Sequence, residues 1–136
     1  MHPRIPNDGW EVSTKRVVLV LDHALLRAVL AMRLDQEPDF EVSARCASQA
    51  EAHDADFRKC DVVIINIYLP DATSGRQLMR ELRDALPHEI PVIALTTSRD
   101  PQVHAEALRA GASEVLTMAF GFDNIIEALR RILGGA

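Results

Sequence analysis

Apolar residues occur along this chain in five short blocks, and each block is followed by a stretch in which they recur at helical spacing. Three blocks, at 16–21, 60–67 and 91–96, are nearly continuous apolar runs that stop at a polar residue, which predicts strands buried on both faces. The block at 40–46 (FEVSARC) alternates, which predicts a strand nearer the sheet edge. The predicted strands cover residues 16–21, 40–46, 60–67, 91–96 and 113–117. The run at 61–70 (DVVIINIYLP) predicts the central strand, with Asn66 at its carboxyl end.

Five helices are predicted after these strands, at about 22–35, 48–58, 74–86, 100–111 and 122–133. Asp22, Ser48 and Asp100 lie where N-caps belong, Pro101 suits a first helical position, and Gly111 suits a C-terminal end. The predicted inward faces are Leu26, Val29, Leu30 and Leu34 in the first helix, Leu78, Met79, Leu82 and Leu86 in the third, and Phe122, Ile125, Ile126, Leu129 and Leu133 in the last. Strands that alternate with helices predict a parallel α/β sheet covered on both sides through right-handed crossovers.

Length and composition limit the chain to one globular domain. It has 136 residues, of which 48% are apolar and 26% charged, and its net charge is −5. We expect residues 1–14 to form a tail in which Trp10 docks on the body, 15–134 to form the domain, and 135–136 to be a C-terminal end. The negative charge argues against nucleic-acid binding by this segment. No run is long enough to span a membrane, and none resembles a signal peptide, so a cytoplasmic location is expected. Cys46 and Cys60 are predicted to stay reduced.

Four of the predicted strands end at or next to a polar residue, at Leu21-Asp22, Asn66, Thr96-Thr97 and Thr117-Met118. The carboxyl ends of parallel strands meet at one edge of the sheet, where α/β proteins bind ligands and perform chemistry. These residues are therefore the candidates for a functional site. His23 and His104 have no partner at metal-ligand spacing, and both are predicted to face solvent.

From about residue 15 to residue 133 the chain resembles the receiver domain of bacterial two-component response regulators. The resemblance is closest to the NarL/FixJ class, whose receivers precede a LuxR-type helix-turn-helix domain. It is carried by the segments at 22–27 (DHALLR), 37–42 (EPDFEV), 61–65 (DVVII), 91–96 (PVIALT) and 107–112 (ALRAGA). The resemblance implies a flavodoxin-like (βα)5 fold with strand order 2-1-3-4-5.

The family's chemistry uses two adjacent acids that hold Mg²⁺, an aspartate that accepts the phosphoryl group, a Thr or Ser, and a Lys. A carboxylate is the nucleophile, while the metal ion and the Lys offset the phosphate charge. The corresponding residues here are Leu21, Asp22, Asn66, Thr96 and Met118, and the aromatic switch residue corresponds to Val115. An amide is not a useful nucleophile, Leu21 offers no metal ligand, and Met118 cannot pair with phosphate. The resemblance therefore implies a vestigial phosphorylation pocket with no catalytic residue, metal or cofactor.

Each of these residues also has a purely structural interpretation. Asp22 can serve as a helix N-cap, Asn66 can bond loop amides, and Thr96 can brace a loop. Met118 is expected to lie near Val115 and Leu21, where the three would make the pocket more apolar. A closed, packed edge is the favoured prediction, because protein interiors are normally filled.

The resemblance favours an atypical receiver that regulates transcription without aspartyl phosphorylation, as a homodimer. It would contact DNA only through a helix-turn-helix domain that lies beyond Ala136. The candidate dimer surfaces are the first and last helices, or the last two helices with the strand between them. The alternatives are a stand-alone module that binds a partner protein, a small-ligand sensor at the former pocket, and a receiver phosphorylated on Asp71 or Thr97. No catalytic set of an enzyme is visible in the sequence.

Overall fold

The structure is a computed structural model, and it describes residues 14–48, 51–52, 60–66, 77, 79–81, 84, 90–118 and 122–133. The predictions for Trp10, for Asp71, and for Leu78, Leu82 and Leu86 of the third helix lie outside these residues. No helix in these ranges is long and apolar enough to cross a membrane.

Five parallel strands form one sheet in the order β2-β1-β3-β4-β5. Their bounds are β1 Lys15–Val20, β2 Phe40–Cys46, β3 Val62–Asn66, β4 Val92–Thr96 and β5 Glu114–Thr117. The central strand β3 pairs with β1 and β4, and its first four residues are fully buried. The predicted sheet, its strand order and its central strand are confirmed, with strand ends displaced by at most two residues.

Three helices have described bounds, α1 Ala24–Asp35, α2 Pro101–Ala110 and α3 Asp123–Ile132. Further helical residues occur at 51–52, 77, 79–81 and 84, within the second and third predicted helices. The predicted start of α2 is confirmed, since the Asp100 carboxylate accepts from the Gln102 amide at 2.9 Å and Pro101 follows. Gly111 ends α2 with a φ of 122°, a conformation that a side chain would disfavour.

The sheet separates two apolar layers, because successive strand residues point to opposite faces. One layer packs strand residues such as Leu19 and Ile64 against α1 and α3. The other packs Val18 and Ile65 against α2 and against the helical residues Ala52 and Met79. Helices therefore cover both faces of the sheet, as predicted.

The amphipathic pattern of α1 differs from the prediction. Leu30 and Leu34 are buried as expected, and Ala31 is buried with them. Val29 was predicted to face inward, but it is 38% exposed. Leu25 and Met32 lie on the same outer side and are 68% and 62% exposed. We call Leu25, Val29 and Met32 the outer stripe of α1. The prediction was wrong at Val29 because apolar residues occupy both sides of this helix, so spacing alone did not identify the inner one.

An ion-pair network ties α3 to the turn between α1 and β2. The Arg130 guanidinium donates to both carboxylate oxygens of Asp39 at 3.0 Å, and to Glu37 Oε1 at 2.7 Å. It also lies 5.6 Å from the centroid of the Phe40 ring, within cation–π range. Arg33 of α1 joins the network through Glu37 at 3.0 Å. Hydrogen bonds from Arg130 lower the pKa of both Glu37 and Asp39, and for Glu37 Arg33 adds to the effect.

Candidate functional site

The strand ends do converge on one edge of the sheet. Val20 pairs with Ile65, one residue before Leu21 and Asn66, and Asn66 in turn pairs with Leu95, next to Thr96. The Met118 amide donates to the Thr96 carbonyl at 2.7 Å. We call Leu21, Asp22, Asn66, Thr96 and Met118 the strand-end cluster. The structure places all five along the carboxyl edge of the sheet.

Asn66 holds the chain that leaves β1. Its side-chain oxygen accepts from the backbone amide of Asp22 at 3.3 Å. Asn66 is half-buried, so the hydrogen bond lies at the margin of solvent. A carboxamide at this position supplies an acceptor for a backbone amide but no nucleophile for phosphoryl transfer. The structural interpretation of Asn66, that it bonds a loop amide, therefore agrees with the geometry.

Leu21 and Met118 contribute apolar surface and no charge. Leu21 is fully buried, and its apolar side chain belongs to the layer that packs on α1 and α3. Met118 is half-buried against the same layer. Val115 packs instead against the other layer. Placing Met118 near both Leu21 and Val115 was therefore wrong in part, because the sheet lies between Val115 and the other two.

The first residues of α1 form a cap different from the predicted one. His23 is the N-cap, and its Nδ1 accepts from the Leu26 amide at 3.1 Å. Asp22 is exposed one residue earlier, and its own amide is bound by Asn66. The prediction of Asp22 as the cap was wrong because the first helical hydrogen bond runs from the Arg27 amide to the His23 carbonyl, so the helix begins one residue later than expected.

Thr96 braces the loop that leads into α2. Its buried hydroxyl accepts from the Ser98 amide at 3.0 Å, and the Ser98 hydroxyl accepts from the Asp100 amide at 3.1 Å. These hydrogen bonds run from the end of β4 to the N-cap of α2. The Thr96 oxygen is thus engaged by the protein's own backbone, as the scaffolding interpretation of this residue expects.

Two side chains near this edge were missed by the sequence analysis. His104 was predicted to face solvent, but it is half-buried, with Nε2 2.8 Å from the Ser98 carbonyl and 3.4 Å from the Thr117 hydroxyl. Arg27 Nη1 donates to the Leu21 carbonyl at 2.6 Å. The spacing of apolar residues along a helix cannot predict either contact, because the partners of both side chains lie in loops or at strand ends.

Cys46 ends the neighbouring strand β2, and its carbonyl accepts from the Leu21 amide at 2.9 Å. Burial raises the pKa of the Cys46 thiol, and the Glu51 carboxylate adds to that effect. The thiol is therefore protonated and a weak nucleophile at neutral pH. Cys46 and Cys60 are both buried, and neither is part of a disulfide.

The described residues at this edge do not fit a Mg²⁺ site. Hard divalent cations require several oxygen ligands, usually with more than one carboxylate. Of the strand-end cluster, only Asp22 carries a carboxylate, and the Asn66 oxygen already accepts a hydrogen bond. Within the described ranges there is no group of three or more His, Cys, Asp or Glu residues that could hold a metal ion.

Comparison with protein families matches residues 17–130 to the response regulator receiver domain. The chain belongs to the response regulator receiver domain family. A curated relative, the phosphate regulon transcriptional regulatory protein PhoB of Pseudomonas aeruginosa, is 32% identical over 120 residues. These residues are 88% of this chain and 52% of PhoB. The oxygen regulatory protein NreC of Staphylococcus aureus (strain JH9) is 27% identical over 121 residues, which are 88% of this chain and 55% of NreC. This receiver thus spans about half the length of these relatives.

Comparison with solved structures supports the same family assignment. A LuxR-family two-component response regulator from Aurantimonas sp. SI85-9A1 is 26% identical, with a TM-score of 0.79 over 90% of this chain and 87% of that one. The response regulator domain of Thermotoga maritima CheB is also 26% identical, with a TM-score of 0.73 over 90% of this chain and 96% of that one. The receiver fold and the membership in two-component signalling that the sequence predicted are confirmed. The assignment to the NarL/FixJ class stays a prediction, since PhoB and a LuxR-family protein both match.

Proposed function

We propose that this receiver is an atypical signalling domain that is not switched by phosphorylation of an aspartate. The observation that carries the proposal is the contact of Asn66 Oδ1 with the Asp22 amide, at the position where the family resemblance expects the phosphoacceptor carboxylate. Phosphoryl transfer to a receiver needs a carboxylate nucleophile, and an amide cannot form the acyl phosphate. The function of the domain then rests on what it binds and not on what modifies it.

The electrostatics of the strand-end cluster support the same proposal. Stabilising a transferred phosphoryl group requires cations or hydrogen-bond donors aimed at its oxygens. Met118 supplies no charge where the family has a Lys, and Leu21 is an apolar residue of the core where the family has an acid. Restoring one group alone would leave the other requirements unmet.

The proposed output is association with a second copy of the chain, in a regulator of transcription. PhoB is named a transcriptional regulatory protein, and one matching structure is of a LuxR-family regulator. Oligomeric state sets the spacing of two DNA half-sites, so a dimerising receiver can control a DNA-binding domain joined to it. DNA contact itself would come from such a domain, because this segment carries a net charge of −5. We expect no enzymatic activity of the domain itself.

A small-ligand sensor at this edge is supported less well. Leu21 is fully buried, and Met118 packs in the same apolar layer as Leu116 and Phe122. Side chains that complete the core in this way leave little apolar surface for a ligand to cover.

Intact-mass spectrometry after incubation with acetyl phosphate and Mg²⁺ tests the proposal. We expect no phosphoryl adduct on the wild-type chain. The matched control is the triple variant Leu21→Asp, Asn66→Asp, Met118→Lys, which restores the family's groups and should gain an adduct that hydroxylamine removes. A hydroxylamine-sensitive adduct on the wild-type chain would overturn the proposal and direct attention to Asp71. An adduct that resists hydroxylamine would overturn it as well, and would direct attention to a hydroxyl such as Thr97.

A further inference from the structure

The outer stripe of α1 is the main apolar feature on the described surface. Leu25, Val29 and Met32 are 68%, 38% and 62% exposed. The fourth large apolar side chain that is well exposed in the described ranges is Leu108, which stands alone on α2. At about 100° per residue the stripe falls within an arc of about 60°, on the side of α1 opposite to the buried Leu30. An isolated apolar residue on a surface needs no explanation, but an aligned set on one helix marks an interaction site.

The size and the charge of the stripe limit what can cover it. A standard interface between two proteins buries roughly 800 Å² per partner, which is far more than three side chains supply. The one charged residue from Ala24 to Met32 is Arg27, and its guanidinium donates to the Leu21 carbonyl at 2.6 Å. The stripe therefore offers a charged partner nothing to pair with. A single aromatic side chain, which buries about 150–250 Å², matches a patch of this size.

The segment that precedes β1 joins the domain beside one end of this stripe. The Lys15 amide donates to the Asp39 carbonyl at 2.9 Å, and Asp39 lies in the turn that follows α1. Because α1 returns from the carboxyl edge of the sheet to this turn, Met32 in its last turn lies toward the same edge as Lys15. Residues 1–13 lie outside the described residues, and they connect to the domain at this point.

The segment 1–13 contains an aromatic side chain within reach of the stripe. Trp10 is the one tryptophan of the chain. From Trp10 to Thr14 an extended chain spans up to about 13 Å. This exceeds the width of a helix with its side chains, about 10–12 Å, so the ring can reach the outer side of α1. Methionine sulfur makes favourable contacts with aromatic rings, and the exposed Ala28 one turn before Met32 leaves room for a flat indole.

A tethered segment has an advantage over a separate molecule at this surface. A short flexible connection gives the two groups that it joins an effective concentration in the millimolar range. A contact that is too weak to hold a separate molecule at micromolar concentration can therefore form within one chain. A second copy has the further disadvantage that two chains of net charge −5 repel each other.

We propose that the outer stripe of α1 is a docking site for the segment 1–13 of the same chain, with the Trp10 ring lying against Val29 and Met32. This inference goes beyond the proposed function and does not depend on it, since it concerns α1 and not Asn66. The docked segment closes one face of the receiver, so any partner of that face must first displace it. Release of Trp10 is then a way of exposing α1 that needs no phosphoryl group.

Fluorescence of the full chain tests the docking, because no second tryptophan contributes to the signal. We expect acrylamide to quench Trp10 less in the wild type than in a synthetic peptide of residues 1–13. Met32→Glu should raise the quenching constant at least about twofold, because a docked ring has one face covered and a released ring has neither.

Two variants serve as controls for this measurement. Met32→Leu keeps an apolar side chain in the stripe and should leave the quenching constant close to that of the wild type. Leu108→Glu places the same charge at an exposed leucine on α2 and should not change it. Thermal unfolding verifies that all three variants are folded.

Oxidation of Met32 tests the same contact from the side of the stripe. Trp10→Ala should raise the rate at which dilute hydrogen peroxide converts Met32 to its sulfoxide at least about twofold, because the covering ring is lost. Mass spectrometry of proteolytic peptides measures this rate at each methionine. Met118 is the internal reference, since it is half-buried at the carboxyl edge and should react equally in both proteins.

Each of four results would overturn the inference. Trp10 is quenched as strongly in the wild type as in the peptide, or it is protected and Met32→Glu does not remove the protection. Protection that appears only as the protein concentration rises would assign the stripe to the segment of a second copy. Equal oxidation of Met32 with and without the Trp10 ring would also contradict the docking. None of these results bears on the proposed absence of aspartyl phosphorylation, which the phosphoryl adduct tests separately.

Discussion

At the scale of single residues, the side-chain amide of Asn66 removes a nucleophile from the strand-end cluster and adds a hydrogen bond that holds the chain after β1. It supplies no nucleophile, yet its oxygen accepts from the Asp22 amide and fixes the first residue after Leu21. The next residue, His23, caps α1. One amide thus influences both the chemistry of the strand-end cluster and the path of the chain from β1 into α1.

Asn66→Ala should lower the free energy of unfolding by about 0.5–1 kcal/mol, the usual contribution of one partly exposed hydrogen bond. Urea denaturation at pH 7 measures the change. Thr97→Ala is the control, because Thr97 is exposed at the same edge and should change stability by less than about 0.5 kcal/mol. Equal losses for the two variants would show that the Asn66 contact contributes nothing.

At the scale of elements, α2 and α3 are positioned by different kinds of contact. The start of α2 depends on a series of short hydrogen bonds that begins at Thr96 and ends at the Asp100 carboxylate. The position of α3 against the turn after α1 depends on the guanidinium of Arg130. The first kind is local and insensitive to salt, whereas the second is exposed and depends on pH and ionic strength.

Removing the N-cap of α2 tests the local contact. Asp100→Ala should cost about 1 kcal/mol of stability, because the Gln102 amide loses its acceptor. Asp100→Asn keeps an oxygen at the same place and should lose only a few tenths of a kcal/mol. Thermal unfolding of the pair checks this expectation, and it fails if the Asn variant is as destabilised as the Ala variant.

The Arg130 network predicts a dependence on pH. Hydrogen bonds from Arg130 lower the pKa of Glu37 and Asp39 from their ordinary values of 4.5 and 3.8. A carboxyl pKa that is lower in the folded state contributes stability that is complete above the unfolded value and is lost as the pH falls through the folded value. The stability difference between wild type and Arg130→Met should therefore be largest near neutral pH and shrink below about pH 4.

Urea denaturation at several pH values and low salt measures this difference. Arg131→Met is the control on the same helix, since Arg131 pairs with Glu114 and leaves Glu37 and Asp39 bound to Arg130. Its difference from wild type should vary less between pH 4 and neutrality than that of Arg130→Met. A difference for Arg130→Met that does not change with pH would contradict the role given to the network.

The sequence predicted the elements better than their contacts. The strands were recognisable because β3 and β4 are nearly unbroken apolar runs, and their order followed from the family resemblance. The inner side of α1 was harder to predict, since Val29 and its neighbours are apolar on both sides of the helix. The members of the strand-end cluster were predictable from topology. The contacts of Arg27 and His104 were not, because each side chain bonds a carbonyl outside its own helix.

At the scale of the whole molecule, stability depends on the central strand and the two layers that it separates. Ile64 is fully buried in the layer shared with α1 and α3, and its neighbour Ile65 is fully buried in the other layer. A cavity in β3 would therefore be surrounded by packed side chains that cannot easily move to fill it. Small domains have a total stability of about 5–15 kcal/mol, so one such cavity removes a large part of it.

Ile64→Ala should lower the free energy of unfolding by about 3–4 kcal/mol, through lost burial and an unfilled cavity. Ile64→Val removes one methyl group and should cost about 1 kcal/mol. Chemical denaturation of the three proteins measures both values. One slope of unfolding free energy against denaturant concentration is used for all three. A loss for Ile64→Ala of less than about 1.5 kcal/mol would mean that the central strand repacks more easily than its burial implies.

The position of β1 between β2 and β3 also determines the order in which a growing chain can complete its sheet. As the chain leaves the ribosome, β1 can pair with β2 once Cys46 has emerged, whereas its other edge waits for Val62–Asn66. During that interval the apolar residues Val17 to Val20 have one open edge, which is the kind of surface that pairs wrongly with other chains. The emergence of β3 closes that edge. Proteolysis of stalled nascent chains in which Asn66 has or has not left the ribosome would reveal this order directly, because only the longer chain should protect β1.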